Sequence, residues 1–340
     1  MAWFVFDMDE TLGHLFTPFY MLCFFKTKES FGNSRKNLSA ELAEPLARAY
    51  ARFVDRIAAT EDSDSPLGIL RPGLLPVMRR LAHLKDQGII RGVIIYSNNG
   101  HLPSVQFTRD LIQSAIGRQD LFCDAVHLTH PGRKAERFTQ YGRVYANKTW
   151  AVVKSILENG PCAATDVTPD TVYFVDDANH PDLQRVLKTK YIQPKPYKYK
   201  VPFSTLVPYF EDALASVGLA EDPGFSELMK YIGTSCTPSK PTSMAHLISL
   251  LRAYTRTSDL PVPAPDDLPE VLNSYLDGIE SMSDVANNQT YGVNNTLPNM
   301  PLSNIQPNLF SGGRKLRRTR RSHRKRNLRK NRTRWLRQQQ

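Results

Sequence analysis

Two aspartates lie one residue apart directly after a short apolar segment near the start of the chain. Residues 3–6 are Trp, Phe, Val and Phe, and Asp7 and Asp9 follow. A continuous apolar run of this length predicts a buried β-strand, and side chains two positions apart on extended backbone point the same way. Asp7 and Asp9 can therefore converge on one ligand, and because close carboxylates repel each other, we expect a cation between them.

The cation that suits this pair is hard and prefers oxygen ligands. Neither His nor Cys stands beside Asp7 or Asp9, and carboxylate oxygens suit Mg²⁺. The pair therefore indicates phosphate chemistry. An isolated pair of acids can also be a solvated cap of the turn or helix that follows, so other residues must decide between the two interpretations.

Further polar residues stand at the ends of predicted strands or at the start of a predicted helix. They are Ser97 and Asn98 after the apolar segment 92–96, Asp176 and Asp177 after the segment 171–175, and Lys148 before a helical pattern that ends near Gly160. The segments are far enough apart for helical crossovers, which parallel strands require. Taken alone, Lys148 fits a surface lysine of a first helical turn, and Ser97 fits a turn residue or helix cap.

Four motifs in order, FDMDETLGH, IIYSNN, NKT and VDDANHPD, resemble those of the haloacid dehalogenase superfamily of phosphotransferases. Within it the chain is most similar to the phosphatases of the C-terminal domain of RNA polymerase II, whose first motif reads much like DMDETLGH. The segment 70–73 resembles their lead into the second motif, and Gly13 stands where they carry a larger residue. The resemblance implies an α/β fold, a three-layer Rossmann-like sandwich around a central parallel sheet.

The resemblance also implies roles for the residues that match the motifs. Asp7 is the expected nucleophile, and Asp9 the expected general acid and base. The expected phosphate-binding residues are Thr11, Ser97, Asn98 and Lys148, with Thr11 also fixing the angle of Asp7. The expected Mg²⁺ ligands are the Asp7 carboxylate, the main-chain carbonyl of Asp9 and one of the two motif-four acids, Asp176 and Asp177, of which we favour Asp177. Asp176 is expected to anchor Lys148. For His14 we favour a structural or substrate-contacting role over catalysis.

Patterning divides the chain into a phosphatase core, a helical extension, a linker and a tail. The core spans residues 1–195, within which the family resemblance implies that residues 15–25 form a flap over the site. Residues 26–69 are expected as an insertion that contains one amphipathic helix and acts as a small cap or docking surface. Residues 196–256 contain helical patterns at 204–217 and 244–254. Residues 257–313 lack sustained periodicity and predict a disordered linker, with a transient helix near 268–279.

Basicity is a property of residues 314–340 and not of the core. Residues 314–337 contain fourteen Lys or Arg and no Asp or Glu, so the remaining 30 basic and 33 acidic residues give a net charge of about −3, against +11 for the whole chain. Such a tail seeks polyanions. We expect it to bind nucleic acid or an import receptor, and attachment to an anionic membrane has no hydrophobic face to support it.

Segment length and cysteine spacing predict where in the cell the protein acts. Residues 15–25 are apolar but too few to cross a bilayer, which takes about 20 residues, and the early strand leaves no room for a signal peptide. The four cysteines, Cys23, Cys123, Cys162 and Cys236, are widely spaced and fit a reducing compartment better than a disulfide framework. We expect an intracellular, nuclear protein, or one of a viral factory or virion if a virus encodes it.

Three functions fit these observations. The first is a Mg²⁺-dependent phosphomonoesterase that acts on phosphoserine or phosphothreonine in a protein substrate. The second is a phosphatase of nucleic-acid ends, which the tail would concentrate on its substrate. The third is a catalytically silent scaffold that binds nucleic acid and keeps the phosphatase fold for structure alone.

Overall fold

The computed structural model describes residues 1–22, 24–25, 40–140, 143–221, 224–232, 241–254 and 266–292. The strands are β1 Ala2–Phe6, β2 Ile90–Tyr96, β3 Phe122–Val126, β4 Arg137–Gln140, β5 Arg143–Ala146, β6 Val172–Val175 and β7 Tyr191–Ile192. The helices are α1 Phe16–Leu22, α2 Ala40–Glu61, α3 Leu74–Asp86, α4 Leu102–Ala115, α5 Trp150–Asn159, α6 Pro181–Leu187, α7 Phe203–Ala215, α8 Gly224–Ile232, α9 Met244–Tyr254 and α10 Leu268–Gly292. The predicted α/β class is confirmed.

A five-stranded parallel sheet lies at the centre of the fold, in the order β3-β2-β1-β6-β7. The chain runs from β1 to β2 and β3 on one side and then returns to place β6 on the other side of β1. The connections therefore change direction next to β1. In open α/β sheets, ligands bind at the carboxyl ends of the strands at such a switch point.

Helices cover both faces of the sheet. Trp3 and Val5 of β1 belong to one buried apolar cluster, which α5 and α6 complete. Phe4 and Phe6 point to the opposite face, into a larger cluster shared with α2, α3, α4 and α7. Because β1 is buried on both faces, its sequence is a continuous apolar run, as expected for a central parallel strand.

The described part of the 26–69 insertion is largely one helix of the core. Helix α2 is the amphipathic helix expected there, and its residues Leu46, Ala49, Phe53 and Ile57 are buried in the larger cluster. It packs against α4 and α7. Residues 26–39, the first part of the predicted insertion, lie outside the described residues.

The structure differs from the linker prediction at α10. This helix includes the predicted helical segment 268–279 and packs on the core, because Leu268, Leu272 and Leu276 are fully buried on one of its faces. The Tyr275 hydroxyl donates to the carbonyl of Thr189 over 2.6 Å. The remainder of the predicted linker, residues 257–265 and 293–313, and the tail 314–340 lie outside the described residues.

The expectation of free cysteines is wrong for one pair. Cys123 and Cys162 form a disulfide, with their Cα atoms 5.7 Å apart. They are 39 residues apart in sequence, and only the return of the chain after α5 brings the second cysteine beside β3. Cys23 and Cys236 lie outside the described residues. Within the described ranges, no helix combines the length and the apolar character needed to cross a membrane.

Candidate active site

The carboxyl ends of the central strands bring the predicted site residues together. Asp7 directly follows β1, Ser97 follows β2 and Asp176 follows β6. The backbone amide of Asp7 donates to the carbonyl of Val175 over 2.8 Å, so the acid continues the ladder between β1 and β6. Lys148 reaches the same place from the segment before α5, where its ammonium group contacts Asp7 and Asp176.

Lys148 is a buried cation between two carboxylates. Its Nζ donates to Asp7 Oδ1 and, over 2.7 Å, to Asp176 Oδ2, and all three side chains are buried. Burial lowers the pKa of Lys148, but attraction by Asp7 and Asp176 outweighs burial and the pKa is raised. Lys148 therefore remains charged and fixes the distance between the two strand ends.

Asp176 is the anchor of this lysine, as predicted. Burial raises the pKa of Asp176, but Lys148 and then His180 outweigh burial, so its pKa is lowered. The other oxygen of Asp176, Oδ1, accepts the backbone amide of Ala178 over 2.9 Å, and His180 Nε2 lies 3.2 Å from Oδ2. Both side-chain oxygens of Asp176 therefore have partners that favour its ionised form.

The site carries more negative charge than Lys148 can neutralise. Asp7, Asp176 and Asp177 each offer a carboxylate oxygen, and these oxygens lie within 4.8 Å of one another. Burial raises the pKa of Asp7 against the lowering effect of Lys148, and the nearby Asp176 and Asp9 add to the rise, so a further cation would favour the ionised form of this acid. Burial likewise raises the pKa of Asp177. A group of buried carboxylates with one lysine is suited to hold a divalent cation.

Thr11 contacts the predicted metal ligand and not the nucleophile. Its hydroxyl donates to Asp177 Oδ1 over 2.8 Å and accepts the backbone amide of Asp177 over 3.0 Å. These two hydrogen bonds lock the Asp177 side chain in one orientation. The structure therefore places the Thr11 hydroxyl on Asp177 and not on Asp7 as expected.

Asp9 is paired with Asn99, which the sequence analysis did not single out. Asn99 Nδ2 donates to Asp9 Oδ2 over 2.9 Å. Burial raises the pKa of Asp9 against the lowering effect of this hydrogen bond. A carboxyl group whose pKa is raised toward neutrality can both give and take a proton, which suits a general acid and base.

A cavity of about 380 Å³ opens beside Asp9. Its walls are the residues Asp9, Glu10, His14, Leu15, Phe19, Asn99 and Ser104. Phe19 lies on α1, so the segment expected as a flap contributes one wall. His14 lines this cavity and is not among the residues around Lys148, in agreement with a contacting role.

Asn98 is turned away from the carboxylates. Its Oδ1 accepts from Arg133 Nη2 over 2.6 Å, and its Nδ2 donates to the carbonyl of Ala146 over 3.2 Å. The structure therefore brings Asn99, and not the predicted Asn98, to Asp9. Ser97 is buried, and its Oγ accepts a hydrogen bond from the backbone amide of Asn99 over 2.9 Å.

A buried ion pair, missed by sequence reasoning, connects the Ser97 and Lys148 segments. Arg133 Nε donates to Glu136 Oε2 over 2.7 Å, and both side chains are fully buried. Arg133 also donates to the carbonyl of Ser97. Glu136 Oε1 accepts the backbone amide of Thr149, the residue after Lys148, over 2.6 Å. An Arg and a Glu three positions apart are common on helix surfaces, so the spacing gave no signal of burial.

Arg71 holds the segment that follows Asp9. Its guanidinium donates to the carbonyls of Glu10 and Thr11, each over 2.7 Å, and pairs with Asp266. Glu10 adopts a left-handed conformation with φ of 61°, which is uncommon for a residue with a side chain. The buried Arg71 thus stabilises a strained turn next to the acid pair.

Comparisons with protein-family models, with curated proteins and with solved structures found no match for this chain.

Proposed function

We propose that this chain is a Mg²⁺-dependent phosphomonoesterase of the haloacid dehalogenase type that works through an aspartyl phosphate. One observation carries the proposal. Asp7 and Asp9, Lys148, and the acids at 176–177 belong to three separate segments, and they meet at the switch point of the sheet, with Lys148 on the Asp7 carboxylate and the Asn99 side-chain amide on the Asp9 carboxylate. Such an arrangement supports an attacking acid beside a proton-transferring acid.

The reaction divides into two displacements at phosphorus. A carboxylate oxygen of Asp7 attacks the phosphorus atom, the bond to the leaving oxygen breaks, and Asp9 gives that oxygen its proton. Asp9, now ionised, takes a proton from water as the water oxygen attacks the aspartyl phosphate. The bond between phosphorus and the Asp7 oxygen breaks, which releases inorganic phosphate and restores both acids.

The carboxylates of Asp7 and Asp177 and the main-chain carbonyl of Asp9 would hold Mg²⁺, with Asp176 in the same cluster. The donors are all oxygen, which fits this hard cation. When bound, Mg²⁺ neutralises negative charge on the phosphoryl oxygens. Lys148 supplies a second positive charge, and Ser97 supplies a hydrogen-bond donor.

For the substrate we propose phosphoserine or phosphothreonine in a protein. The support is the likeness of DMDETLGH to the first motif of the RNA polymerase II phosphatases, together with the cavity beside Asp9. That cavity lies on the side of the acid that protonates the leaving oxygen, and it has room for one side chain of a peptide. A docking surface on residues 26–69, a nuclear location and an import or nucleic-acid role for residues 314–337 belong to the same proposal.

Hydrolysis of p-nitrophenyl phosphate and of a phosphoserine peptide, with Mg²⁺ and with a chelator, tests the reaction. We expect turnover only with the metal, and a loss of roughly a thousandfold or more in Asp7→Asn. Asp64→Asn, at an exposed position, is the matched control and should keep full turnover. Turnover that survives in Asp7→Asn would exclude the covalent mechanism, and no turnover with any divalent metal would favour the silent scaffold.

A further inference from the structure

The hairpin formed by β4 and β5, residues 137–146, carries an exposed aromatic pair. Phe138 and Tyr145 lie opposite each other in the antiparallel ladder, with ring centroids 5.7 Å apart and planes inclined by 23°. The exposed fraction is 41% for Phe138 and 42% for Tyr145. Two neighbouring rings with this exposure form a small flat apolar platform on the protein surface.

The platform borders the candidate active site and is anchored at its base. The carbonyl of Ala146 accepts a hydrogen bond from Asn98, and the backbone amide of Asn147 donates to the carbonyl of Glu136 over 3.3 Å. Tyr145 and Lys148 are three positions apart, so the backbone between them spans at most about 11 Å. The hairpin is therefore connected directly to the segment that carries Lys148.

The surroundings of the hairpin are cationic. Residues 127–148 contain one acid, Glu136, which is buried and paired with Arg133. Lys134 is exposed and Arg137 is half-buried at the base of the hairpin. The pKa of His127 is lowered by burial and then by the positive charges of its neighbours, Arg137 among them. One acid from outside this segment lies nearby, since Asp124 Oδ2 is 3.8 Å from His130 Nε2.

We propose that this hairpin binds single-stranded nucleic acid, with bases stacked on Phe138 and Tyr145 and backbone phosphates near Lys134 and Arg137. Aromatic faces accept any base, and cations beside them attract the phosphate backbone, which is the common design of strand-binding surfaces. An exposed apolar pair can bind several kinds of partner, and the cations beside this one favour a polyanion. The basic tail has Trp335 as its sole aromatic residue, so the hairpin supplies the stacking that the tail lacks.

Binding of fluorescent oligothymidylate by the full chain, followed by anisotropy over a range of salt concentrations, tests this proposal. An abasic oligonucleotide of equal length reports the contribution of phosphates alone, including binding by the tail. We expect Phe138→Leu/Tyr145→Leu, which keeps apolar bulk but removes both rings, to weaken oligothymidylate binding by roughly tenfold to a hundredfold. Binding of the abasic strand should not change.

Val144→Ala is the matched control, because Val144 is an exposed apolar residue of the same hairpin whose ladder partner is Thr139 and not an aromatic. It should bind both strands like the unaltered chain. Thermal unfolding of each variant checks that the hairpin change leaves the fold intact. Unchanged oligothymidylate affinity in the Leu/Leu variant would overturn the proposal.

The binding proposal does not rest on phosphatase activity, and one further measurement separates the two. Turnover of p-nitrophenyl phosphate should be equal in the Leu/Leu variant and the unaltered chain, since neither ring contacts the carboxylates. If the variant instead raises KM for a phosphopeptide and keeps its oligonucleotide affinity, the platform is a peptide-docking surface and the nucleic-acid proposal is wrong. Absence of turnover in the unaltered chain would leave the binding result standing.

Discussion

At the scale of single residues, the two asparagines after β2 have different tasks. Asn99 donates to Asp9, whereas Asn98 contacts Arg133 and Ala146. A hydrogen bond to an ionised group contributes about 1.5–3 kcal/mol, so we expect Asn99→Ala to lower kcat for p-nitrophenyl phosphate by roughly tenfold to a hundredfold. Steady-state kinetics at saturating Mg²⁺ measures this loss.

Asn98→Ala is the matched control for this prediction. It deletes the same amide from the same loop but leaves Asp9 and its partner in place, so its main effect should be on stability through Arg133. A larger fall in kcat for Asn98→Ala than for Asn99→Ala would show that the roles are reversed.

Residue types and their order predicted most of the site, but not the direction of each side chain. Asp7, Asp9, Lys148 and Asp177 were found because strand ends in a parallel sheet meet at one edge. Which of two adjacent amides reaches Asp9 depends on the turn after β2, and that turn is set by Arg133, a distant residue. The local sequence pattern therefore cannot predict this contact.

Gly13 is a second residue whose presence the sequence shows but whose structural cause it does not. A Cβ atom at this position would lie 2.2 Å from the carbonyl oxygen of Ile69, and the amide of His14 donates to that oxygen over 2.9 Å. The close approach explains why a glycine stands where the resembled family carries a larger residue. The sequence revealed the departure, and only the packing of segment 69–70 gives its cause.

At the scale of elements, Glu61 at the end of α2 makes stability depend on pH. Its carboxylate accepts the backbone amides of Ile69 and Leu70, and burial raises its pKa from 4.5 to about 7. The folded chain therefore holds an extra proton between these two pH values, and its free energy of unfolding falls as the pH rises through that window. The shift corresponds to about 3 kcal/mol.

Glu61→Gln should remove this dependence. We expect the free energy of unfolding of the variant, relative to the unaltered chain, to rise by about 3 kcal/mol between about pH 4.5 and about pH 7. Urea unfolding at several pH values measures the difference. Glu44→Gln, exposed on the same helix, should show almost no such trend, and a pH-independent difference for Glu61→Gln would contradict the assignment.

The buried pair Arg133 and Glu136 couples the loop after β2 to the start of α5. Arg133→Met leaves the buried Glu136 carboxylate without its cation, with the hydrogen bonds from Tyr96 and Thr149 still in place, so we expect a loss of about 3–5 kcal/mol in stability. The double variant Arg133→Met/Glu136→Gln removes both charges and should lose less than the sum of the single variants. A double-mutant cycle by urea unfolding measures the coupling.

The partly exposed pair Lys154 and Glu158 on α5, with Nζ and Oε1 3.6 Å apart, provides the reference cycle. Because water screens both charges, its coupling should be below about 1 kcal/mol. Equal coupling energies in the two cycles would show that burial of Arg133 and Glu136 has no energetic consequence.

Among the elements, strands β1, β2 and β6 and helices α2, α5, α7 and α9 followed from apolar patterning, whereas α10 was predicted only as a transient helix within a linker. Its buried leucines at 268, 272 and 276 lie four residues apart, but they stand in a region rich in Pro, Asn, Ser and Asp that resembles a linker. What fixes the helix is tertiary: Arg80 pairs with Asp277 and Glu280 across a long stretch of sequence. Composition cannot predict contacts of this kind.

At the scale of the whole molecule, helix α10 and the tail 314–340 should have separate functions. A chain that ends at Gly313 keeps α10 and loses the tail, so turnover of a small ester should not change, whereas polyanion affinity should fall in a salt-dependent way. A chain that ends at Ser258 also loses Asp266 and the buried leucines. We expect it to lose stability and turnover together.

Kinetics with p-nitrophenyl phosphate and thermal unfolding of both truncations measure these effects. Asp266→Asn in the full chain is the finer variant, since it keeps α10 but leaves the Arg71 guanidinium without its carboxylate. A chain ending at Ser258 that is as stable and active as one ending at Gly313 would show that α10 plays no part in the site.

The ion pair between Arg71 and Asp266 has a consequence for biosynthesis. Arg71 shapes the turn beside Asp9, yet its acid partner follows Asp7 by 259 residues, from 7 to 266. A nascent polypeptide therefore carries Asp7 and Arg71 long before it carries Asp266. The turn beside Asp9 can gain the ion pair that supports it only after most of the polypeptide has been synthesised.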